Sequence, residues 1–294
     1  MNKVGFIGVG IMGKSMVRNL MKAGFELHIY ARTKSKVEDV ISEGAQFHES
    51  IKDCVQDCDA VITIVGFPQD VEEVYFDEGN ILDSAKEGAY LIDMTTTSPQ
   101  IAEKIYAEGT KRGFHVMDAP VTGGDTGAKA GTLSILVGGE KEDYEACMPL
   151  FEAMGTNINY QGKAGCGQHC KLANQIMIAG TLSGVCEALT YAKEQGLDPE
   201  VFMKSVATGA AGSKQLDTFG PKLLKDDYAP GFFMKHFIKD MKLALIEANR
   251  KGLSLDVLSM VLANYEELEQ EGYGDLGTQA LMKFYDEEHR NTEE

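Results

Sequence analysis

Lys3-Val4-Gly5-Phe6-Ile7-Gly8-Val9-Gly10-Ile11-Met12-Gly13 is a short apolar strand running straight into G-x-G-x-x-G. That order is suited to holding a dinucleotide pyrophosphate. Gly8 permits the tight turn, Gly10 lets the backbone approach the phosphates, and Gly13 lets the next helix sit close to the strand. Ile11 and Met12 occupy the variable positions of the turn. The following helix aims its unpaired N–H groups and positive dipole end at the anion. A lone G-x-G-x-x-G is weak, because a glycine-rich loop can match it by chance. Here a strand precedes it, a helix from Lys14 to Ala23 follows, Gly24 stops that helix, and a second strand runs from Glu26 to Tyr30. The stretch predicts a Rossmann βαβ start.

Bulk properties set the frame. At 294 residues the chain exceeds the usual single-domain size, so two domains are expected. Its 44% hydrophobic and 25% charged residues are those of an ordinary globular protein. A net charge of −17 disfavours nucleic acid and anionic membrane as partners, since phosphate binding needs clustered Lys and Arg. It does not exclude an anionic small substrate in a locally positive site. The N-terminus enters the first strand without a secretory signal, and no apolar run is read as long enough to span a bilayer. Six scattered cysteines (54, 58, 147, 166, 170 and 186) suit a reducing cytoplasm better than a disulfide framework. Cys166, His169 and Cys170 invite a zinc reading, but no second ligand pair follows at a metal-site spacing, and no metal is expected.

The N-terminal half alternates strand and helix patterns. Helices are predicted at Ser35 to Glu43, Ile51 to Gln56 and Val71 to Phe76. Another is predicted after Ser98-Pro99, with Ser98 as N-cap and Pro99 at the first position. Gln46-Phe47-His48, Ala60 to Val65, Tyr90 to Asp93, His115 to Pro120 and Leu133 to Gly138 complete a doubly wound sheet. From Gly165 no strand signal remains. Helices are predicted at Gln168 to Glu194, Pro199 to Ala207, Gln215 to Leu224, Phe232 to Lys251 and Leu255 to Glu271, with a last one near Leu276 to Glu287. The polar tail from Asp286 is expected to fray. The expected organisation is an α/β Rossmann N-terminal domain (1–164) and an all-α C-terminal domain (165–294) for substrate binding and oligomerisation.

Four patterns now stand in order: the glycine fingerprint, Asp118-Ala119-Pro120-Val121-Thr122-Gly123-Gly124, Gly165-Cys166-Gly167-Gln168-His169-Cys170-Lys171-Leu172-Ala173-Asn174-Gln175, and Phe237-Ile238-Lys239-Asp240-Met241-Lys242-Leu243-Ala244. Together they resemble the β-hydroxyacid dehydrogenases, the family of 3-hydroxyisobutyrate dehydrogenase, tartronate semialdehyde reductase and the glyoxylate/succinic semialdehyde reductases. The resemblance covers nearly the whole chain. It implies Lys171 as the catalytic residue, and chemistry agrees: reduction of a carbonyl leaves charge on oxygen, an ammonium can donate the proton, and a neutral lysine is the base in reverse. Its pKa would have to be lowered by burial or neighbouring positive charge, such as Lys239 or the oxidised nicotinamide. Lys171, Asn174 and Gln175 share one helix face. Thr122, Gly123 and Gly124 follow a strand and offer bare backbone N–H groups to a carboxylate; the family commonly carries Ser at Thr122. The resemblance adds Asn174 to the substrate site, while Gln175 is equally suited to an interdomain contact. It puts Lys239 beside cofactor and substrate, held by Asp240, and assigns Thr96 to the nicotinamide end of the cofactor; Met12 is either a core residue or, as the resemblance implies, the floor under that end. Gly66 and Pro68 follow a strand C-terminus and are expected on the adenosine side.

An NAD-selective site places Asp or Glu at the end of the second strand. Here that end reads Ile29-Tyr30-Ala31-Arg32-Thr33-Lys34-Ser35-Lys36, without a carboxylate. Arg32, Thr33 and Lys36 suit a 2′-phosphate, so NADP is preferred and NAD is possible. The family's NADP users often read Asn-Arg-Thr here, and Ala31 replaces that Asn. An imine reductase shares the fold but has a different residue at the Lys171 position, and 6-phosphogluconate dehydrogenases are much longer. A non-catalytic NADP-binding scaffold would have lost the lysine. The expectation is a cytoplasmic homodimer or homotetramer that interconverts a short carboxylate-bearing semialdehyde or 2-oxo acid and its hydroxy acid.

Overall fold

Strand β1 (Lys3–Ile7) has no exposed face, because its apolar side chains alternate between two buried layers. In the computed structural model, which describes residues 1–285, Phe6 packs on one side of the sheet and Ile7 on the other. The same alternation recurs in the neighbouring strands. Ile29, Ile62 and Ile92 join Phe6, Met16, Leu20 and Phe151 in one layer. Val61, Leu91 and Val116 join Ile7, Tyr75 and Ile105 in the other. Such two-sided burial needs helices on both faces, as in a doubly wound fold.

The chain divides into two compact units, Met1–Lys171 and a second beginning at Leu172. In the first, β1 leads to α1 (Ile11–Lys22), β2 (Glu26–Tyr30), a 3₁₀ turn at Lys34–Lys36, α2 (Glu38–Ser42), β3 (Gln46–Phe47), α3 (Ile51–Val55), β4 (Ala60–Thr63), α4 (Pro68–Phe76) and α5 (Ile81–Ser84). Then come β5 (Tyr90–Asp93), α6 (Pro99–Lys111), β6 (His115–Asp118), β7 (Val121–Thr122), α7 (Gly124–Ala130), β8 (Leu133–Gly138), α8 (Lys141–Ala146), α9 (Met148–Met154) and β9 (Gly155–Gly162). The nine-stranded sheet has the order β3-β2-β1-β4-β5-β6-β8-β7, with β9 beside β8. The six strands from β3 to β6 are parallel, in a register that sets Phe6 between Ile29 and Ile62. β8 then turns antiparallel to β6 and β7. Ser98 caps α6 as expected, its hydroxyl accepting the Gln100 N–H.

Departures from the expected elements have local causes. The helix predicted from Ser35 to Glu43 resolves into the 3₁₀ turn and the short α2, joined through Val37, whose backbone is not helical. Helix α7 was not foreseen because Gly124 and Gly127 lower its helical propensity; it forms between Gly123 and a left-handed Gly131. β9 escaped because its outer position leaves the polar residues Thr156, Asn157 and Asn159 without a clear alternation.

The long helix α10 (Cys166–Glu194) begins in the first unit and continues into the second, where α11 (Pro199–Val206), α12 (Lys214–Leu223), α13 (Met234–Arg250) and α14 (Asp256–Gln270) follow. Leu182, Leu189, Phe237, Met241, Val261, Tyr265 and Leu281 form its core. By length and a mean hydropathy of 1.2, α10 qualifies as long and apolar enough to cross a bilayer, which corrects the expectation that no run does. Its second half packs Leu182, Cys186 and Leu189 into that protein core. The helix expected near Leu276 to Glu287 is instead 3₁₀, at Tyr273–Asp275 and Thr278–Tyr285. Buried Gln279 donates there to the carbonyls of Asp227 and Ala229. The remainder of that expected helix and the tail from Asp286 lie outside the described residues.

Phe151 is fully buried and stacks with Tyr144 at a ring-centroid distance of 6.3 Å. Phe151→Ala is expected to cost about 3–5 kcal/mol of stability by leaving a cavity. Urea denaturation measures this, and a loss below about 1 kcal/mol would refute the core described here.

Candidate active site

The loops at the carboxyl ends of β1, β2, β4 and β5 carry most of the residues expected to bind a cofactor, because parallel strands bring those ends to one edge of the sheet. Gly8 has φ +99°, and a Cβ there would collide with the Ile64 carbonyl. A Cβ on Gly13 would strike the Gly8 carbonyl and Phe6, so α1 can lie this close to β1 only with glycine at that position. A Cβ on Gly10, the N-cap of α1, would meet nothing, which leaves the outer side of the turn open. Ile11 is exposed and Met12 half-buried, and the first turn of α1 holds no acidic side chain. An open turn and a helix N-terminus whose first turn holds no acidic side chain fit a pyrophosphate.

Arg32 and Thr33 follow β2, and Lys36 ends the 3₁₀ turn; all three are exposed. The corner does hold a carboxylate, contrary to the reading of the β2 end alone, and it comes from α4. One oxygen of Asp70 pairs with the Arg32 guanidinium, and the other accepts the Phe67 N–H at 2.9 Å. Gly66 and Pro68 flank Phe67 at the start of α4.

Thr96 sits between two buried threonines beyond β5. Below it, Asp93 is buried, and its Oδ1 accepts the Thr63 hydroxyl at 2.8 Å and the Thr95 N–H at 3.1 Å. The Thr95 hydroxyl in turn accepts the Val65 N–H at 3.0 Å. The loops after β4 and β5 are thereby tied together. Burial pushes the Asp93 carboxyl up to about 6, against the hydrogen bonds from Thr95 and Thr63.

Helix α10 begins on a second buried carboxylate. Asp118, at the end of β6, accepts the Gly165 N–H at 2.7 Å and the Gln168 N–H at 2.8 Å. Burial raises its pKa, while those two N–H groups oppose the rise. The Gln168 side chain accepts the Thr97 N–H at 3.0 Å and donates to the Thr95 carbonyl at 2.7 Å. Lys171 follows one turn later and is 7% exposed. Thr122 ends β7, Gly123 has φ +132°, and a Cβ on Gly124 would meet no protein atom. Bare N–H groups and an open face there suit an anion.

In the second unit, the Asn174 amide donates to Gln175 Oε1 at 2.8 Å and Gln175 donates to Asp240 Oδ2 at 2.7 Å. Asp240 Oδ1 lies 3.1 Å from Lys239 Nζ, so the expected contact between these two is present. Gln175 has a definite structural role as the link between Asn174 and Asp240. Among the described residues, no group of three or more His, Cys, Asp or Glu side chains is arranged to hold a metal ion. Sequence reasoning missed Asp70, Asp93, Asp118 and Gln168 as parts of the site. Asp93, Asp118 and Gln168 lay within or beside quoted motifs, but nothing in their spacing named their partners.

A Rossmann sheet with this open glycine turn, followed by a helical unit, defines a protein built to bind a dinucleotide. Residues 3–162 match the family model described as the NAD binding domain of 6-phosphogluconate dehydrogenase. Residues 165–285 match that described as NAD-binding of NADP-dependent 3-hydroxyisobutyrate dehydrogenase. An uncharacterized oxidoreductase of Bacillus subtilis is 49% identical over 96% of this chain and 98% of its own. The 2-hydroxy-3-oxopropionate reductase of Escherichia coli is 37% identical over 86% of each chain. Among solved structures, the 3-hydroxyisobutyrate dehydrogenase of Mycobacterium tuberculosis with L-serine has a TM-score of 0.89 and 26% identity, covering 97% of this chain and 99% of that one. The chain belongs to the β-hydroxyacid dehydrogenase family and is an NAD(P)-dependent enzyme acting on CH–OH donors.

Asp93 links the site to pH. Its folded-state value of about 6 lies above its ordinary 3.8, so the folded protein binds the extra proton and stability falls as pH rises through that window. Relative to Asp93→Asn, the wild type should lose about 1.4 kcal/mol between about pH 5 and about pH 7.5. Denaturation of both proteins at the two pH values checks this, and a difference independent of pH would contradict it.

Proposed function

We propose that the enzyme reduces a short carboxylate-bearing semialdehyde or 2-oxo acid, reversibly, to its hydroxy acid, with NADP preferred over NAD. The observation that carries this reading is Lys171, buried one turn into a helix whose start is fixed by Asp118 and Gln168. A nicotinamide, when bound, supplies or accepts the hydride. Gly8, Gly10, Ile11 and Gly13 would hold its pyrophosphate side, Gly66 and Pro68 the adenosine side, and Met12, Thr96 and Lys239 the nicotinamide end. Lys171 gives its proton to the carbonyl oxygen as charge develops there, and as a neutral amine takes it back in the oxidation. Thr122, Gly123 and Gly124 receive the substrate carboxylate through backbone N–H groups and one hydroxyl, and Asn174 adds an amide. The L-serine in the related Mycobacterium tuberculosis structure, a hydroxylated carboxylate, supports this substrate class.

The NADP preference rests on Arg32, Thr33 and Lys36. Asp70 already engages Arg32, yet a guanidinium has five N–H donors and can serve a carboxylate and a phosphate together. All six cysteines are free thiols, which supports a cytoplasmic setting. Exposed Met177, Tyr191, Val201 and Val257 in the second unit support a homodimer or homotetramer.

Two substitutions test the reading by loss of nicotinamide absorbance against tartronate, methylmalonate and succinate semialdehydes and glyoxylate. Lys171→Ala should lower kcat by about 10²–10⁴-fold, the range of a lost general acid. Turnover that survives it would remove Lys171 from the chemistry. Arg32→Ala should raise the apparent KM for NADPH about tenfold or more, the loss of one charge-assisted contact, with little change for NADH. An equal rise for both would refute the preference.

A further inference from the structure

We propose that Gln168 is a positioning residue that locks the loop carrying Thr96 to the turn of α10 carrying Lys171. The inference rests on the roles given above to those two residues. The Gln168 side chain is fully buried and uses both ends of its amide. Oε1 accepts the Thr97 N–H at 3.0 Å, and Nε2 donates to the Thr95 carbonyl at 2.7 Å. The two bonds bracket Thr96, as a neighbouring strand would bracket a residue in a sheet. The Gln168 backbone N–H is itself fixed, donating to Asp118 Oδ2 at 2.8 Å. Three residues later on the same helix stands Lys171, so the displacement of one element is transmitted to the other.

The remaining side of the loop is also held. Thr95 donates its N–H to Asp93 and accepts the Val65 N–H on its hydroxyl, which anchors the loop to β4 and β5. Gln168 therefore ties this anchored loop to α10. A neutral amide both donates and accepts through one planar group; methionine has no donor and only a weak sulfur acceptor, and an ionised glutamate only accepts. Hydride and proton must arrive on adjacent atoms of one carbonyl, so a loop displaced by about 1 Å costs up to about 100-fold in rate. Most contacts of a dinucleotide lie along its pyrophosphate and adenosine, away from this loop. The consequence is a separation of chemistry from affinity.

The experiment compares wild type, Gln168→Met and Gln168→Glu in kcat, in NADPH dissociation constant and in the fluorescence of bound NADPH. Gln168→Met should lose about 10–100-fold in kcat. Its NADPH affinity should stay within about threefold, a small effect beside that rate loss. The emission change that the nicotinamide shows on binding should be reduced. Gln168→Glu keeps the acceptor for Thr97 and regains a donor to Thr95 when protonated. Its activity and emission, each divided by wild type at the same pH, should therefore rise as pH falls. Asp93 and Asp118, the carboxylates bonded to Thr95 and to the Gln168 N–H, are present in both proteins, so the ratio removes the part of the pH trend that the two share.

Wild-type kcat and emission in folded Gln168→Met would overturn the proposal. So would parallel losses of kcat, affinity and melting temperature in both variants, the pattern of a purely structural role. If Gln168→Met does not fold, the pH trend of Gln168→Glu decides. If the wild type reduces none of the aldehydes, the proposed function fails, while the emission comparison still tests Gln168.

Discussion

The carboxylate of Asp118 accepts two backbone N–H groups at the start of α10, and the geometry around Lys171 depends on that contact. A helix leaves its first N–H groups without partners, and its N-terminus carries partial positive charge. A buried carboxylate has the opposite need, since burial without hydrogen bonds costs several kcal/mol. Each group answers the other. The cap comes from the end of a sheet strand instead of the residue before the helix, so it fixes the first turn of α10, within the first unit, to β6.

Close approach is the condition for this contact. A Cβ on Gly167 would collide with the Leu136 carbonyl, and one on Gly138 would crowd Asp118 and the Gly167 N–H. Gly167 thus does the close-packing job of Gly8 and Gly13, and differs from Gly10, where a Cβ would meet nothing. At the first turn of the chain, glycine leaves an open outer face at Gly10; at the start of α10, it lets a helix terminus press against strand ends. In the second unit, the amide of Gln175 plays a comparable part, joining Asn174 to Asp240 and, through it, Lys239.

The adenosine corner illustrates how electrostatics depends on packing. Reading along β2 and beyond, Arg32, Thr33, Lys34 and Lys36 form a cationic segment open to a phosphate. In space Arg32 has an acidic partner, Asp70, whose other oxygen is engaged with the start of α4. A guanidinium oriented in this way is pre-set in direction, and it retains donors for a second anion.

The sequence by itself determined the parallel part of the sheet, the glycine turn and the change to a helical second half, while Lys171, Asn174 and Lys239 were singled out by the family resemblance. The fold elements were legible because they rest on local rules: continuous apolar runs in strands buried on both faces, capping at Ser98, glycine at tight turns, and helical spacing. Helix α7 and strand β9 were not legible, since glycine-rich and polar segments acquire their form from what they pack against. Nor were the partners of the buried polar groups. Asp70 reaches Arg32 across 38 residues, Asp118 reaches Gly165 across 47, and Gln168 reaches Thr97 across 71. A hydrogen bond is specified by distance and direction in space, and no period in a linear chain encodes a pairing made between the ends of different strands. Only the tertiary structure decided that these side chains meet, because burial leaves each polar atom no water and makes the protein partner it finds part of the fold.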